Sequence, residues 1–271
     1  MPIFALETST ERLSLAIVDG EKIVAREIDA GQRHSELAVD AIMALFADAN
    51  STISAMDVIA FGQGPGSFVG VRIACGLAQG LALGAGKNLL PVPTHMALAE
   101  QAFRVNPNAM NVVVAIDARM NEVYLAAYQR DVREASGWHQ NIAPMLVKPD
   151  QLPQLSGGDG IGDWIGIGSA FDSPTLGSLI ETNYKNTIRA IIHNALPSAI
   201  DVAAIAHRQW QRGIGLTPPD QAAPLYLRNN VAQTIEQRAD TKAEEKASAE
   251  VNRAAAQVGA TIVQPMSVGV L

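Results

Sequence analysis

The chain has 271 residues, of which 48% are apolar and 17% charged, and a formal net charge of -7; it can bury a sizeable core in one large domain or two lobes, and it opposes an extended phosphate backbone, so any RNA role is expected to be indirect. Cys75 is the only cysteine, which excludes an internal disulfide and a cysteine-based zinc site and fits a reducing, cytoplasmic setting. The start MPIFALETST lacks the basic residues and apolar run of a secretory signal, and no stretch approaches about 18 uninterrupted apolar residues, so a soluble protein with no membrane span is expected.

In chain order, residues 3–6, 13–18 and 22–28 read as short strands forming a meander, the second turn marked by Asp19-Gly20. Residues 35–48 predict a helix and 57–61 a buried strand. A glycine-rich run follows, then a helix over about 69–85, a strand at 89–92, and a helix over 94–104 with Thr94 as its N-cap. Strands return at 111–117 and 122–129. The stretch 135–197 is looser, with a strand at 164–168 and a helix near 174–181, and a last helix spans 199–212. Strands then helices, twice over, give an α/β fold of two mixed lobes, 1–105 and 106–238, with the last helix packing back toward their junction. Residues 239–271 are a polar, Ala-rich tail, helical at best and expected to be disordered.

The glycine run, GQGPGSFVGVRIACGLAQGLALGAGK, resembles a phosphate loop but fails its tests. Asn88 follows Gly86-Lys87 where a P-loop needs Ser or Thr, Leu81 stands where its first glycine belongs, and Gly62, Gly64 and Gly66 lack the dinucleotide spacing. The first glycines are therefore read as shaping a strand-to-helix turn, whose helix N-terminus retains the capacity to hold an anion. Gly76, Gly80 and Gly84 are a separate matter. They recur every four residues inside a helix, where each costs about 1 kcal/mol relative to Ala. Two explanations stand: close packing on the chain's own sheet, or close packing of a helix from another chain.

The helix at 35–48 bears on that choice. Leu37, Ala41, Ala44 and Leu45 share one side, while Val39, Ile42, Met43 and Phe46 take much of the rest, leaving Glu36, Asp40 and Asp48 as polar points. A helix apolar nearly all round is buried on two sides, in its own core or against a partner. The expected partner face comprises Leu37, Ala41, Ala44, Leu45, Arg72, Gly76, Gly80 and Gly84.

FALETST, GQGPGSFVGVRIACGLAQGLALG, IDARMNEVY at 116–124 and PLYLRNNVAQT at 224–234 together resemble the TsaB (YeaZ) family over about residues 1–238. The resemblance implies the two-lobed fold of the actin, Hsp70 and sugar-kinase (ASKHA) class. It also implies a non-catalytic subunit that binds TsaD, with the ATPase TsaE joining through the complex, to support threonylcarbamoyl transfer to adenosine 37 of tRNAs reading ANN codons. Without TsaD a homodimer through the same face is expected. No tightly bound cofactor is expected, ATP acting at the level of the complex. ATP-using members of this fold hold metal and phosphate with an acidic residue and a glycine-threonine turn after the first strand, and with an Asp-x-Gly turn in the other lobe. Here Glu7-Thr8-Ser9-Thr10 and Asp117-Ala118-Arg119 lack the glycines, which implies a degraded site in which Glu7, Thr8, Ser9, Asp117 and Arg119 keep at most residual nucleotide or cleft contacts.

TsaD, as a paralogue, carries two His one helical turn apart on the helix corresponding to 94–104. Here His95 is followed at that spacing by Ala99, so no metal is expected. His34 reads as a surface or capping residue, and His193 and His207 lack partners at ligand spacing. Arg119 is expected to pair with Asp117 or Glu122, or to face the lobe cleft together with Tyr124. The competing functions are an independent ATP-dependent phosphotransferase, with Glu7 and Asp117 as the only candidate carboxylates, and a metallohydrolase.

Overall fold

Strands β1 (Pro2–Glu7), β2 (Arg12–Asp19) and β3 (Lys22–Asp29) form the expected antiparallel meander, Asp19 pairing with Lys22 across a turn where Gly20 has φ +60°. β4 (Val58–Gly62) lies parallel to β1, and β5 (Leu89–Val92) parallel to β4, giving the order β3-β2-β1-β4-β5. The second sheet is built from β6 (Asn111–Asp117), β7 (Val123–Arg130), β8 (Trp138–Val147), β9 (Trp164–Ile167) and β10 (Ile188–Ile192). Its order, β8-β7-β6-β9-β10, with β6 antiparallel to β7 and parallel to β9, repeats the first. Two copies of one mixed sheet flanked by helices make the two-lobed architecture expected of the ASKHA class. The computed structural model describes residues 1–156 and 163–228; the expected tail, 239–271, and the end of the PLYLRNNVAQT stretch lie outside them.

Alternation along the strands assigns each sheet two faces. Phe4, Leu6, Leu15, Ile59 and Phe61 pack against α1 (His34–Ala49) and α2 (Phe68–Ala85). On the opposite face, Ile3, Val58, Leu90 and Val92 pack against Val202, Ile205 and Ala206 of α5 (Ala199–Gln211). In the second sheet, Val112, Val114 and Ile165 meet Leu98, Ala99 and Ala102 of α3 (Thr94–Val105), and Val113, Leu125 and Trp164 meet Leu176 and Ile180 of α4 (Pro174–Asn183). The sheets thus exchange helices: α3 follows the first sheet and covers the second, while α5 follows the second and covers the first. Arg104 of α3 grips the fully buried Asp201 of α5 through two hydrogen bonds of 2.8 and 2.9 Å.

Strands β8 and β10 fall within the stretch read as loose. Both are edge strands, half exposed, and β8 carries Pro144 among polar residues; an edge needs neither a continuous apolar run nor clean alternation. α2 shows the reverse. Among the described residues it is the one helix long and apolar enough to cross a membrane by length and composition, although only 33% of it is buried. Val71, Ala74, Ala78 and Ala82 seat it on the first sheet, so the segment is placed as an outer layer of the fold.

Beyond α5 the chain returns along α2. Thr217 bridges Leu89, Gln79 Nε2 donates to the carbonyls of Pro219 (2.8 Å) and Ala222 (3.1 Å), and the Leu225 N–H donates to the Gln63 carbonyl at 2.7 Å. This strap covers one flank of α2.

Candidate functional site

The first half of the glycine run presses against the turn that ends β1. A Cβ on Gly62 would stand 1.8 Å from Glu7 Oε2, one on Gly66 2.6 Å from the Ser9 carbonyl oxygen, and one on Gly70 2.0 Å from the Thr8 carbonyl oxygen. Hydrogen bonds fix the approach. The Ser67 N–H donates to the Ser9 carbonyl at 2.7 Å, Thr8 Oγ1 donates to the Gly70 carbonyl at 2.7 Å, and Ser67 Oγ caps α2 by accepting from the Gly70 N–H at 3.3 Å. Gly66 and Gly70 serve contact between two backbones, and Gly62 makes room for the Glu7 carboxylate, at the place where phosphate binding would need open amides.

Glu7 is buried beneath this contact. Its carboxylate accepts from the Ser9 N–H (2.6 Å) and from Thr94 Oγ1 (3.1 Å). Thr94 is therefore not the N-cap its sequence position suggests: Pro93 holds that position, and the Thr94 hydroxyl is directed to Glu7. Burial pushes the Glu7 carboxyl above its ordinary 4.5, with the Ser9 and Thr94 hydrogen bonds opposing the shift. A group whose folded pKa is raised binds its proton more tightly in the native state; the associated stability is complete below the unfolded value and is lost as pH rises. Relative to Glu7→Gln, the wild-type chain should lose stability as pH climbs from about 4.5 towards neutrality. Urea titrations across that range measure the difference, and a pH-independent gap would show that Glu7 titrates normally.

Beside the turn, a pocket between the sheets is lined by Ser9, Thr94, Leu98, Ile116, Ser169 and Pro197, among others, and its interior of about 20 Å³ matches a single water molecule. Small-molecule sites occupy about 300–1,000 Å³. Asp117 ends β6 near this pocket: its N–H donates to Ser169 Oγ, while its carboxylate accepts from the Arg119 N–H at 2.7 Å and the Arg119 guanidinium at 3.4 Å. The Asp117–Arg119 pair caps the β6–β7 turn, where Arg119, Met120 and Asn121 all have positive φ. Glu122 closes that turn through its backbone, and Tyr124 packs half-buried on β7.

The histidines do not assemble a metal centre; among the described residues no group of three or more His, Cys, Asp or Glu is placed to hold an ion. His95 is fully buried, burial lowering its pKa to about 4 against the opposing effect of the Tyr124 backbone. His34 corrects the surface expectation, being buried as the first residue of α1 without a capping bond. His193 lies 2.8 Å from the Asp172 carboxylate.

The expected partner face divides in two. Leu45, with no exposed surface, and Ala41 belong to the core under the first sheet, and Leu37 and Ala44 lie half-buried at its margin. This corrects their placement on an outer face: a helix apolar nearly all round gives no sequence cue to which side meets the sheet. The outer side of α1 carries Val39 and Met43 instead, the latter 67% exposed. On α2 the structure shows exposure. Arg72, Gly76, Gly80 and Gly84 face outward, and a Cβ on any of the three glycines would meet nothing within 4 Å. Their row is flanked by Val69, 62% exposed, and Leu83, 76% exposed. The chain's own sheet therefore does not explain these glycines.

Residues 28–236 match the family described as "TsaD: tRNA N6-adenosine threonylcarbamoyltransferase". The chain is 35% identical over 237 residues to the tRNA threonylcarbamoyladenosine biosynthesis protein TsaB of Escherichia coli, covering 86% of this chain and 96% of that protein. It is also 35% identical over 238 residues to the protein of the same description from Haemophilus influenzae, covering 85% and 95%. Among solved structures, YeaZ from Pseudomonas aeruginosa is 31% identical with a TM-score of 0.72, covering 83% of this chain and 99% of that one.

Proposed function

The chain belongs to the TsaB (YeaZ) family of tRNA threonylcarbamoyladenosine biosynthesis, and from that premise we propose that it is a non-catalytic scaffold subunit that docks TsaD on the open face of α1 and α2. In this reading it supports threonylcarbamoyl transfer by TsaD to adenosine 37 of tRNAs reading ANN codons, in the cytoplasm. TsaE joins through the complex, and any ATP is used there. Without TsaD, the same face pairs two copies of this chain, the isologous arrangement that paralogous subunits favour.

One observation carries the proposal: the glycine row has open space in front of it. Three helix-interior glycines forgo about 1 kcal/mol each relative to alanine, and no contact within the described chain returns that loss. A row of glycines four residues apart forms a groove along the helix, into which a ridge of side chains from another helix can seat. Val69 and Leu83 on the same helix, and Val39 and Met43 on α1, add exposed apolar surface that a partner would remove from water.

The test is Gly80→Leu. The side chain enters empty space in the isolated chain, so circular dichroism and melting should change little, while affinity for the TsaD relative from the same source should fall by at least about 100-fold. Light scattering on a sizing column reads the heterodimer directly, and retention of the complex in Gly80→Leu would sink this placement. Gly80→Ala should raise the isolated chain's stability by about 0.5–1 kcal/mol. Micromolar ATP binding with turnover by the isolated chain would overturn the non-catalytic assignment.

A further inference from the structure

Arg72 stands at the head of the open glycine row, one helical turn before Gly76 and one after Phe68. Its guanidinium carbon lies 3.4 Å from the centre of the Phe68 ring and 5.4 Å from that of Tyr226, and its Nε donates to the Tyr226 hydroxyl at 2.7 Å. The two rings sit 6.3 Å apart and tilted by 40°, so the cation lies over the Phe68 face and is held from the side by the Tyr226 hydroxyl. Tyr226 comes from the C-terminal strap, which Leu225 ties to Gln63. Several other arginines of the fold meet carboxylates, Arg12 with Glu27, Arg26 with Asp48, Arg104 with Asp201, Arg130 and Arg208 with Glu100, while Arg189 and Arg212 donate to backbone carbonyls. Among the described residues, no carboxylate lies within ion-pair reach of Arg72, and its terminal amino groups find no acceptor.

Resting on the docking proposed above, we infer that Arg72 is a preorganised receptor for a carboxylate, an Asp or Glu side chain on the partner helix that enters the glycine groove. The stack and the Nε bond hold the stem and inner edge of the guanidinium and leave its outer edge as a planar donor pair. That is the geometry a carboxylate fits with two parallel hydrogen bonds. An arginine covered by an apolar partner with no counter-ion would be strongly penalised, so the partner that closes this face must bring the charge. A protein carboxylate is favoured over a nucleotide phosphate because the groove beside Arg72 has the shape of a helix seat, whereas the glycine loop is packed against the Glu7–Ser9 turn, with the Ser67 N–H donated to the Ser9 carbonyl and the Gly70 N–H to Ser67 Oγ. The strap acquires a role as well: Tyr226 is the positioning residue that aims Arg72.

Calorimetric titration of the full chain with the TsaD relative tests this. Arg72→Gln should weaken binding by about 10- to 100-fold, and Arg72→Lys should recover little of that, since an ammonium neither forks nor stacks. Tyr226→Phe keeps the stack and loses the fixing bond, so a loss of a few-fold is expected, roughly that of one hydrogen bond. Arg72→Glu should be rescued by a lysine at one of the partner's interface carboxylates. Wild-type affinity in Arg72→Gln alongside lost binding in Gly80→Leu would overturn the carboxylate receptor and leave the docking reading intact; wild-type affinity in both would overturn both. Should the contribution of Arg72 emerge only with added nucleotide, the anion is a phosphate and the assignment falls.

Discussion

Glu100→Ala should lower the unfolding free energy of the chain by about 3–5 kcal/mol, the range expected when one partner of a buried ionic cluster is removed. Glu100 sits on α3, buried, and accepts four hydrogen bonds from three side chains on three other elements. Arg208 of α5 donates to both carboxylate oxygens at 3.0 and 2.6 Å, Arg130 at the end of β7 donates at 3.1 Å, and the Trp138 indole of β8 donates at 2.7 Å. Without the carboxylate, two guanidinium groups face each other in a poorly solvated junction, and the indole N–H is left without its acceptor. Arg130 keeps its stacking on Phe103 and Trp138, centred 4.4 and 5.1 Å away, which offsets part of the loss. Urea unfolding with an unchanged m-value measures the effect. Replacing Glu100, Arg130 and Arg208 together by apolar residues of similar volume should recover much of the stability, because it removes the unpaired charges. A single variant as stable as the wild type would mean that the junction is wet enough to solvate both arginines.

Gly70→Ala should be destabilising by more than about 3 kcal/mol, or prevent accumulation of folded protein, even though alanine is the better helix former. The added Cβ would lie 2.0 Å from the Thr8 carbonyl oxygen, a backbone atom. Relief requires α2 to move off the β1 turn. That movement breaks the Thr8 Oγ1 bond to the Gly70 carbonyl and the Ser67 N–H bond to Ser9. Gly80→Ala on the same helix is expected to stabilise, so melting the two variants side by side separates glycines that serve the fold from those that serve a partner. A Gly70→Ala chain melting with the wild type would show that the turn yields easily.

Much of the architecture is legible in the residues. The central strands carry apolar runs such as IFAL and VVVAI, and the β4–α2–β5 crossover begins at a clear turn signal, Gly64-Pro65-Gly66-Ser67. The failure of the glycine run as a phosphate loop is also readable, from Asn88 and Leu81 alone. Other features depend on the other half of the molecule. β8 and β10 are strands because a neighbour supplies half of their pairing, and Pro144 disguises one of them. Which side of α1 points inward is settled by the sheet beneath, so Leu45 lies in the core and Met43 in solvent with nothing local to distinguish them. Arg72 and Tyr226 stand 154 positions apart; only the returning strap makes them a unit. The separation within the glycine run, by contrast, was available in outline, since Gly76, Gly80 and Gly84 recur with helical spacing while the earlier glycines do not.

The exchange of helices between the sheets bears on how the chain is made. On a ribosome, α1 and α2 are complete by residue 85, and with them the helical part of the surface proposed to receive TsaD. The reverse side of the sheet that supports them, with Ile3, Val58, Leu90 and Val92, waits for residues 199–211 before it is covered. An emerging first half would therefore display a docking surface on a foundation that cannot yet stand alone, with apolar strands open to misassembly. Contacts closing over so long a stretch of chain also favour slow folding. The docking surface is written early, yet it becomes firm only once residues 199–211 are in place, which ties partner capture to a chain whose α5 has already docked.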